Sequence, residues 1–258
     1  MTVDNSLYER HADAWWAEDG YHRFLLTGAN PARFGFFRSI LDRRGIAPAG
    51  LRVLDLGSGG GYLAESFAEI GAQVTGIDPA ANSVSTATDH ARGRALPIGY
   101  LVGAGERLPF ADVSFDVVTC CDVLEHLYEL DWVLAETARV LRPGGLYFFD
   151  TINRTPQSWL LMVQVAQEFP LTRIMPRGLH DWSMFLKPVE LERWLTRVGI
   201  RPHQIIGLNS QRNPLALLRL IFKVKLGQMT HGEFGEQSQV AAIPGDLSLS
   251  YMGYGVKE

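Results

Sequence analysis

Between Leu51 and Asp78 the chain spells out a strand, a glycine-rich turn, a helix and a second strand, and no other stretch restricts the fold as much. Leu51-Arg52-Val53-Leu54-Asp55-Leu56 is rich in leucine and valine and stops at Gly57-Ser58-Gly59-Gly60-Gly61, as a buried central strand does. From Tyr62 to Ile70 the apolar residues Leu63, Phe67 and Ile70 recur at helical spacing, and Gly71 supplies a stop. Gln73 to Asp78 reads as a second strand ending in a carboxylate, which completes a βαβ unit of the length a parallel crossover needs.

The alternation continues with short strands near Ile98–Val102 and Asp116–Cys120, a helix near Trp132–Leu141 and a strand at Leu146–Asp150. Thr151 to Arg177 is apolar and broken by Pro156, Pro170 and Pro176, which predicts a helix with irregular flanks. Lys187 to Leu195 is a helix with Pro188 in its first turn and Leu191, Trp194 and Leu195 on one face. Strands near Gln204–Gly207 and Ser248–Val256 would finish the sheet as an antiparallel edge hairpin. The expectation is an α/β, Rossmann-like, seven-stranded and mostly parallel sheet, with a helical cap insert and ligands beyond the carboxyl ends of its strands.

Composition narrows the function. With 24 basic against 28 acidic side chains and a net charge of −4, the chain is poorly suited to neutralising a phosphate backbone, so nucleic acid is not the expected partner. The two cysteines, Cys120 and Cys121, are neighbours and build neither a disulfide framework nor a CxxC metal pattern, which suits a reducing, cytoplasmic setting. The first residues, Asp4, Tyr8, Glu9, Arg10, His11 and Asp13 among them, lack the apolar stretch of a secretory signal. No run of about 20 apolar residues offers a transmembrane helix.

In the glycine loop the missing Cβ atoms let backbone amides approach a ligand and permit positive φ. Such a loop often receives pyrophosphate. Here Asp55 stands two residues before Gly57 and points a carboxylate into the same cleft, which would repel a pyrophosphate and attract the ammonium of a methionine moiety. Asp78, 17 residues after Gly61 at a strand tip, is placed to accept two ribose hydroxyls. A tight structural turn followed by a surface aspartate is the plain alternative.

Glu106-Arg107-Leu108-Pro109-Phe110, Ser114-Phe115-Asp116-Val117-Val118 and the Arg142-Pro143-Gly144-Gly145 turn resemble class I S-adenosylmethionine-dependent methyltransferases over Leu51 to Asp150. Where many of these place an aspartate against the adenine amino group, this chain has Ala104, so the adenine would lean on backbone near Gly105 and Glu106.

Beyond the fourth strand, Asp122, Glu125 and His126 put two carboxylates and an imidazole on the rim of the cleft. Together they suit a divalent cation, Mg²⁺ or Zn²⁺, that lowers the pKa of a bound phenol. His126 alone can instead take the phenolic proton. A helix start with a packed histidine remains the plain reading.

Asn30-Pro31-Ala32-Arg33, the Asp55 to Gly61 loop, Asp122 to His126, Thr151-Ile152-Asn153-Arg154 with Ser158-Trp159-Leu160, and Pro176 to Trp182 resemble, in this order, the ubiquinone-biosynthesis O-methyltransferase family. Asp13, Trp15, Trp16 and Leu249-Ser250-Tyr251-Met252 fit it too. The resemblance implies methyl transfer from S-adenosylmethionine to a phenolic or catechol hydroxyl of a polyprenylated quinone or quinol precursor. It implies Arg33, Asp78, a loop glycine and Cys121 near the donor, and a divalent-cation site at Asp122, Glu125 and His126, with Asp122 where the family has the longer glutamate.

On this reading 1–258 is one methyltransferase domain: a helical region at 1–45, a donor-binding core at 46–150, an insert at 151–186, and the end of the sheet at 187–258 with a variable part at 210–245. The insert, with Trp159 to Val165 followed by Arg173 and Arg177, would lie on a membrane through 156–177 or simply cap the site. Leu215 to Leu226, carrying Arg219, Lys223 and Lys225, departs from the family and is where acceptor preference would change. Small-molecule O- or C-methylation in another pathway, a nucleotide-dependent oxidoreductase and a non-catalytic donor-binding protein are the rival readings.

Overall fold

The computed structural model describes residues 6–258, with only the backbone of Ser6 and Leu7; Asp4, noted above, lies outside the described residues. Eight strands are found among these residues: β1 (Arg52–Leu56), β2 (Gln73–Asp78), β3 (Gly99–Val102), β4 (Phe115–Cys121), β5 (Leu141–Ile152), β6 (Ile200–Ser210), β7 (Val240–Ile243) and β8 (Ser250–Lys257). They form one sheet in the order β3-β2-β1-β4-β5-β8-β6-β7. β1 to β5 pair in parallel, while β8, β6 and β7 add an antiparallel part.

The helices are α1 (Ser6–Arg10), α2 (Asn30–Arg43), α3 (Tyr62–Glu69), α4 (Ala81–Gly93), α5 (Leu130–Val140), α6 (Pro156–Ser158), α7 (Pro188–Arg197), α8 (Pro214–Lys225) and α9 (His231–Ser238). Capped by Thr155, α6 runs on into a wide-turned helical stretch, Trp159–Glu168.

The alternation of side chains along a strand explains the two cores. Leu54, Val118 and Phe149 face one side, where Val133 and Leu134 of α5 and Leu191 and Leu195 of α7 cover them. Val53, Val117 and Phe148 face the other, against Phe37, Ile40 and Leu41 of α2 and Leu63 and Phe67 of α3. Helices on both faces of a parallel sheet are what the run of strands and helices predicts.

Three features differ in detail. The sheet has one strand more than the seven expected, because Val240–Ile243, only four residues long, pairs with the end of β6 inside the stretch read as a variable insert. The terminal strand lies inside the sheet rather than at its edge: β8 pairs along its length with β5 on one side and β6 on the other, and the short β7 takes the edge. Helix α4 has no counterpart in the sequence reading, since its buried residues are Ser83, Val84, Ala87 and Ala91, too small and polar to make an apolar stripe.

Candidate functional site

The glycine loop takes the shape its composition requires. Gly57, Gly59 and Gly61 have φ of 74°, 48° and 89°, the left-handed region that side chains disfavour. A Cβ on Gly57 would fall 2.2 Å from Val123, and one on Gly60 would fall 2.5 Å from the indole of Trp15. The loop is thus a thin floor. The amide of Gly59 donates to Asp78 Oδ2 at 2.9 Å and that of Ala80 to Oδ1 at 2.8 Å, which fixes the carboxylate at the tip of β2. Burial raises the pKa of Asp78.

Asp55 on β1 lies opposite Thr119 on β4 in register, and the Thr119 hydroxyl donates to Asp55 Oδ1 at 2.6 Å. Burial pushes the Asp55 carboxyl up to about 6, against the pull of Thr119 and of the Arg33 guanidinium. Ser58 Oγ, buried in the loop, has no partner within the protein. A cradle without side chains, a buried carboxylate behind it and an unpaired hydroxyl in it suit a ligand with an amino-acid portion and a ribose.

The loop opens onto a cavity of about 630 Å³, within the usual range for small-molecule sites. Arg33, Asp55, Gly57, Gly59, Asp78, Gly105, Glu106 and Cys121 of the expected donor set all line it. Gly61 is not on its wall; it turns the chain into α3, and a Cβ there would meet the hydroxyl of Tyr100 at 2.3 Å. The Cys121 thiol is pushed up by burial and so is no nucleophile.

Arg33 does more than line the cavity. Its guanidinium hydrogen-bonds Asp122 and, at 2.5 Å from Nε, meets Asp150 Oδ2 in an ion pair without hydrogen-bond geometry, so one cation offsets the charge of two carboxylates near the ends of β4 and β5. Asp122 has φ of 54°, and its amide donates to Asp150 Oδ1 at 2.9 Å. That kink turns the chain off β4 and sets His126 on the cavity wall, while Glu125 is buried off it. Asp150, two residues before the end of β5, joins this cluster although the sequence reading treated it only as the end of a strand.

Glu125 is buried; its Oε2 accepts from Thr151 Oγ at 2.8 Å, while Oε1 has no partner within the protein. Burial and the nearby Asp122 charge push its carboxyl up to about 8. His126 is taken out of water by the packing around it, which lowers its imidazole to about 4. It is neutral at neutral pH and able to accept a proton. Its Nε2 lies 3.4 Å from the hydroxyl of Tyr8, and its ring stacks with His180, centroids 5.3 Å apart.

The structure therefore regroups the expected cation set. Glu125, His126 and His180 offer ligand atoms all within 4.8 Å of one another, whereas Asp122 is engaged by Arg33. His180 lies 54 residues beyond His126, and only the path of the insert brings the two rings together. His22 was also missed: it stacks on Trp15 at 3.8 Å on the cavity wall, with neither ring nitrogen hydrogen-bonded.

Residues 54–149 match the family model described as a methyltransferase domain. A ubiquinone biosynthesis O-methyltransferase of Nitrosococcus oceani is 35% identical over 252 residues, covering 97% of this chain and 93% of the relative. The chain belongs to the ubiquinone biosynthesis O-methyltransferase family. Another relative of that name, from Photorhabdus laumondii, is 36% identical over 232 residues, with 88% of this chain and 92% of its own covered. The fold is that of solved S-adenosylmethionine-dependent methyltransferases: one from Thermotoga maritima has a TM-score of 0.64 at 17% identity, covering 98% of this chain and 99% of its own. One from Aquifex aeolicus has a TM-score of 0.60 at 14% identity over both full chains. As a member of that family the chain is an S-adenosylmethionine-dependent methyltransferase.

Proposed function

We propose that this methyltransferase moves the methyl group of S-adenosylmethionine to a phenolic oxygen of a polyprenylated catechol or quinol, working as one domain. The observation that carries the reading is His126, neutral and aimed into a cavity that has the donor cradle on one side and apolar walls on the other. Asp55 and Asp78 hold the donor's ammonium and ribose beside the glycine loop. His126 Nε2 takes the phenolic proton from an acceptor lying where the Tyr8 hydroxyl now approaches it. The freed oxygen attacks the methyl carbon in line, the carbon–sulfur bond breaks, and S-adenosylhomocysteine leaves with the electron pair on sulfur.

The donor set of Glu125, His126 and His180, one carboxylate and two imidazoles with Glu125 Oε1 unpaired, fits a zinc-type cation better than magnesium, which prefers oxygen ligands. Such a cation would lower the pKa of the acceptor hydroxyl, and His126 would then serve as its ligand in place of acting as the base.

The outer surface supports contact with an anionic membrane. Trp159, Leu160, Phe169 and Leu171 are exposed beside Arg173 and Arg177, and no helix among the described residues is long and apolar enough to cross a bilayer. The deciding experiment is an acceptor screen with labelled donor over prenylated catechols, short-chain catechols and flavonoid-like phenols. Preference for the prenylated compounds is expected; preference for either other class would overturn the assignment of the acceptor.

A further inference from the structure

The cavity is sharply divided in polarity. Its unpaired polar atoms stand around the donor and His126: Ser58 Oγ in the glycine loop, the Tyr21 hydroxyl and both nitrogens of His22 beside Trp15, and His180 Nδ1 against His126. Toward α8 and α9 the polar side chains on the wall are already occupied by the protein's own backbone. Asn209 donates to the Asp246 carbonyl at 2.5 Å and accepts from the Ser250 amide at 3.0 Å. Ser210 donates to the Ser238 carbonyl at 2.5 Å, and Ser238 to that of Phe234 at 2.6 Å. That end has no hydrogen bond to offer a ligand, so what it accommodates is hydrocarbon.

Helix α8 is built for this wall. Leu220 packs with Met229, Phe234, Phe24 and Ile174 in a small core of its own, which ties α8 and α9 to the N-terminal region and to the insert. Leu217 and Leu218 line the cavity, as do Leu161, Met162 and Val165 of the wide-turned helix, and Ile221 touches both the cavity and the Leu220 core. A helix whose only task was to shield the sheet would need one apolar face, and α8 spends two, one on its anchor and one on empty space.

We propose that α8 and α9 enclose a channel for the isoprenoid chain of the acceptor, in which Leu217, Leu218 and Ile221 set how much chain is admitted. This rests on the reading of the acceptor as prenylated. A catechol presenting its hydroxyl to His126 carries its chain away from the donor loop, along the apolar residues of α8 and the wide-turned helix. The channel is thus a specificity element separate from the methyl-transfer chemistry.

The experiment is calorimetric titration of the S-adenosylhomocysteine-loaded protein with catechol, with a farnesyl-substituted catechol and with farnesol, which has no ring. Farnesol should bind, and the farnesyl chain should tighten catechol binding at least about tenfold. Ile221→Trp, which fills the channel, should remove that gain and weaken farnesol to the same degree. Leu218→Phe, a smaller intrusion, should reduce both in part, and Phe222→Asp on the exposed face of α8, away from the cavity, should change neither. Melting curves of each variant check that α8 stays folded. Farnesol binding lost in Ile221→Trp supports the channel even where no catechol is methylated, an outcome that sinks only the assignment of the acceptor. A wild type that methylates catechols but gains nothing from the chain, or an Ile221→Trp variant that keeps the gain, overturns the channel.

Discussion

The guanidinium of Arg33 reaches from α2 to the carboxylate of Asp122, 89 positions along the chain, and so ties the outer helix layer to the kink where β4 ends. The same group meets Asp150, which is almost wholly buried. Arg33→Leu leaves that carboxylate without its counter-charge, with the Asp122 amide as a remaining partner. The expected loss is about 3–5 kcal/mol of stability, measured by urea unfolding. Asp122→Asn, which leaves the Asp150 pair intact, should cost much less.

Asp55 links donor binding to pH. Its folded pKa of about 6 lies above the ordinary 3.8, and the donor's ammonium favours the charged carboxylate. Affinity for S-adenosylhomocysteine should therefore fall as the pH drops through 6, and Asp55→Asn should bind weakly with no such dependence. Stability runs the other way. A raised folded pKa contributes stability that is complete below pH 3.8 and lost as the pH rises through 6, so Asp55→Asn should gain Tm relative to the wild type over that interval.

His126→Ala should lower kcat by roughly 10²–10⁴-fold and leave donor affinity nearly unchanged. Single-turnover rates beside donor titrations separate the two. Unaltered turnover would remove His126 from the chemistry.

The cation set is decided by a binding measurement without turnover. Competition for Zn²⁺ against a coloured chelator should show affinity lost in His180→Ala and kept in Asp122→Asn, because His180, not Asp122, lies with Glu125 and His126. The opposite pattern would restore the set expected from the sequence.

Gly60→Ala would set a methyl group 2.5 Å from the Trp15 indole. The loop or the indole must move, at a cost of about 1–3 kcal/mol, read as a lower Tm with weakened donor binding. Gly35→Ala on α2, where nothing lies within 4 Å, should be neutral or mildly stabilising.

What could be read from the sequence was what lies close together along it. The unit from β1 to Asp78 is contiguous, and its glycines, its strand pattern and both carboxylates announce a donor site without tertiary information. The run from Asp122 to His126 is also local, and its place at the rim was legible. Its partners were not. Whether Asp122 faces a cation or an arginine depends on where α2 packs, and His180 reaches His126 only through the insert. Helix α4 hides because serine, threonine and alanine carry little periodic signal. Strand β7 hides because four residues cannot show a reliable alternation.

The position of β8 has a consequence for how the molecule is made. β5 and β6 are its neighbours on either side, and both are translated before it exists. While the ribosome supplies the residues between them and β8, the β5 edge carrying Tyr147, Phe148 and Phe149 has no strand to pair with. Any other extended chain that meets this edge finds an open template. The hazard of misassembly therefore lasts from the synthesis of β5 until β8 enters between its two neighbours.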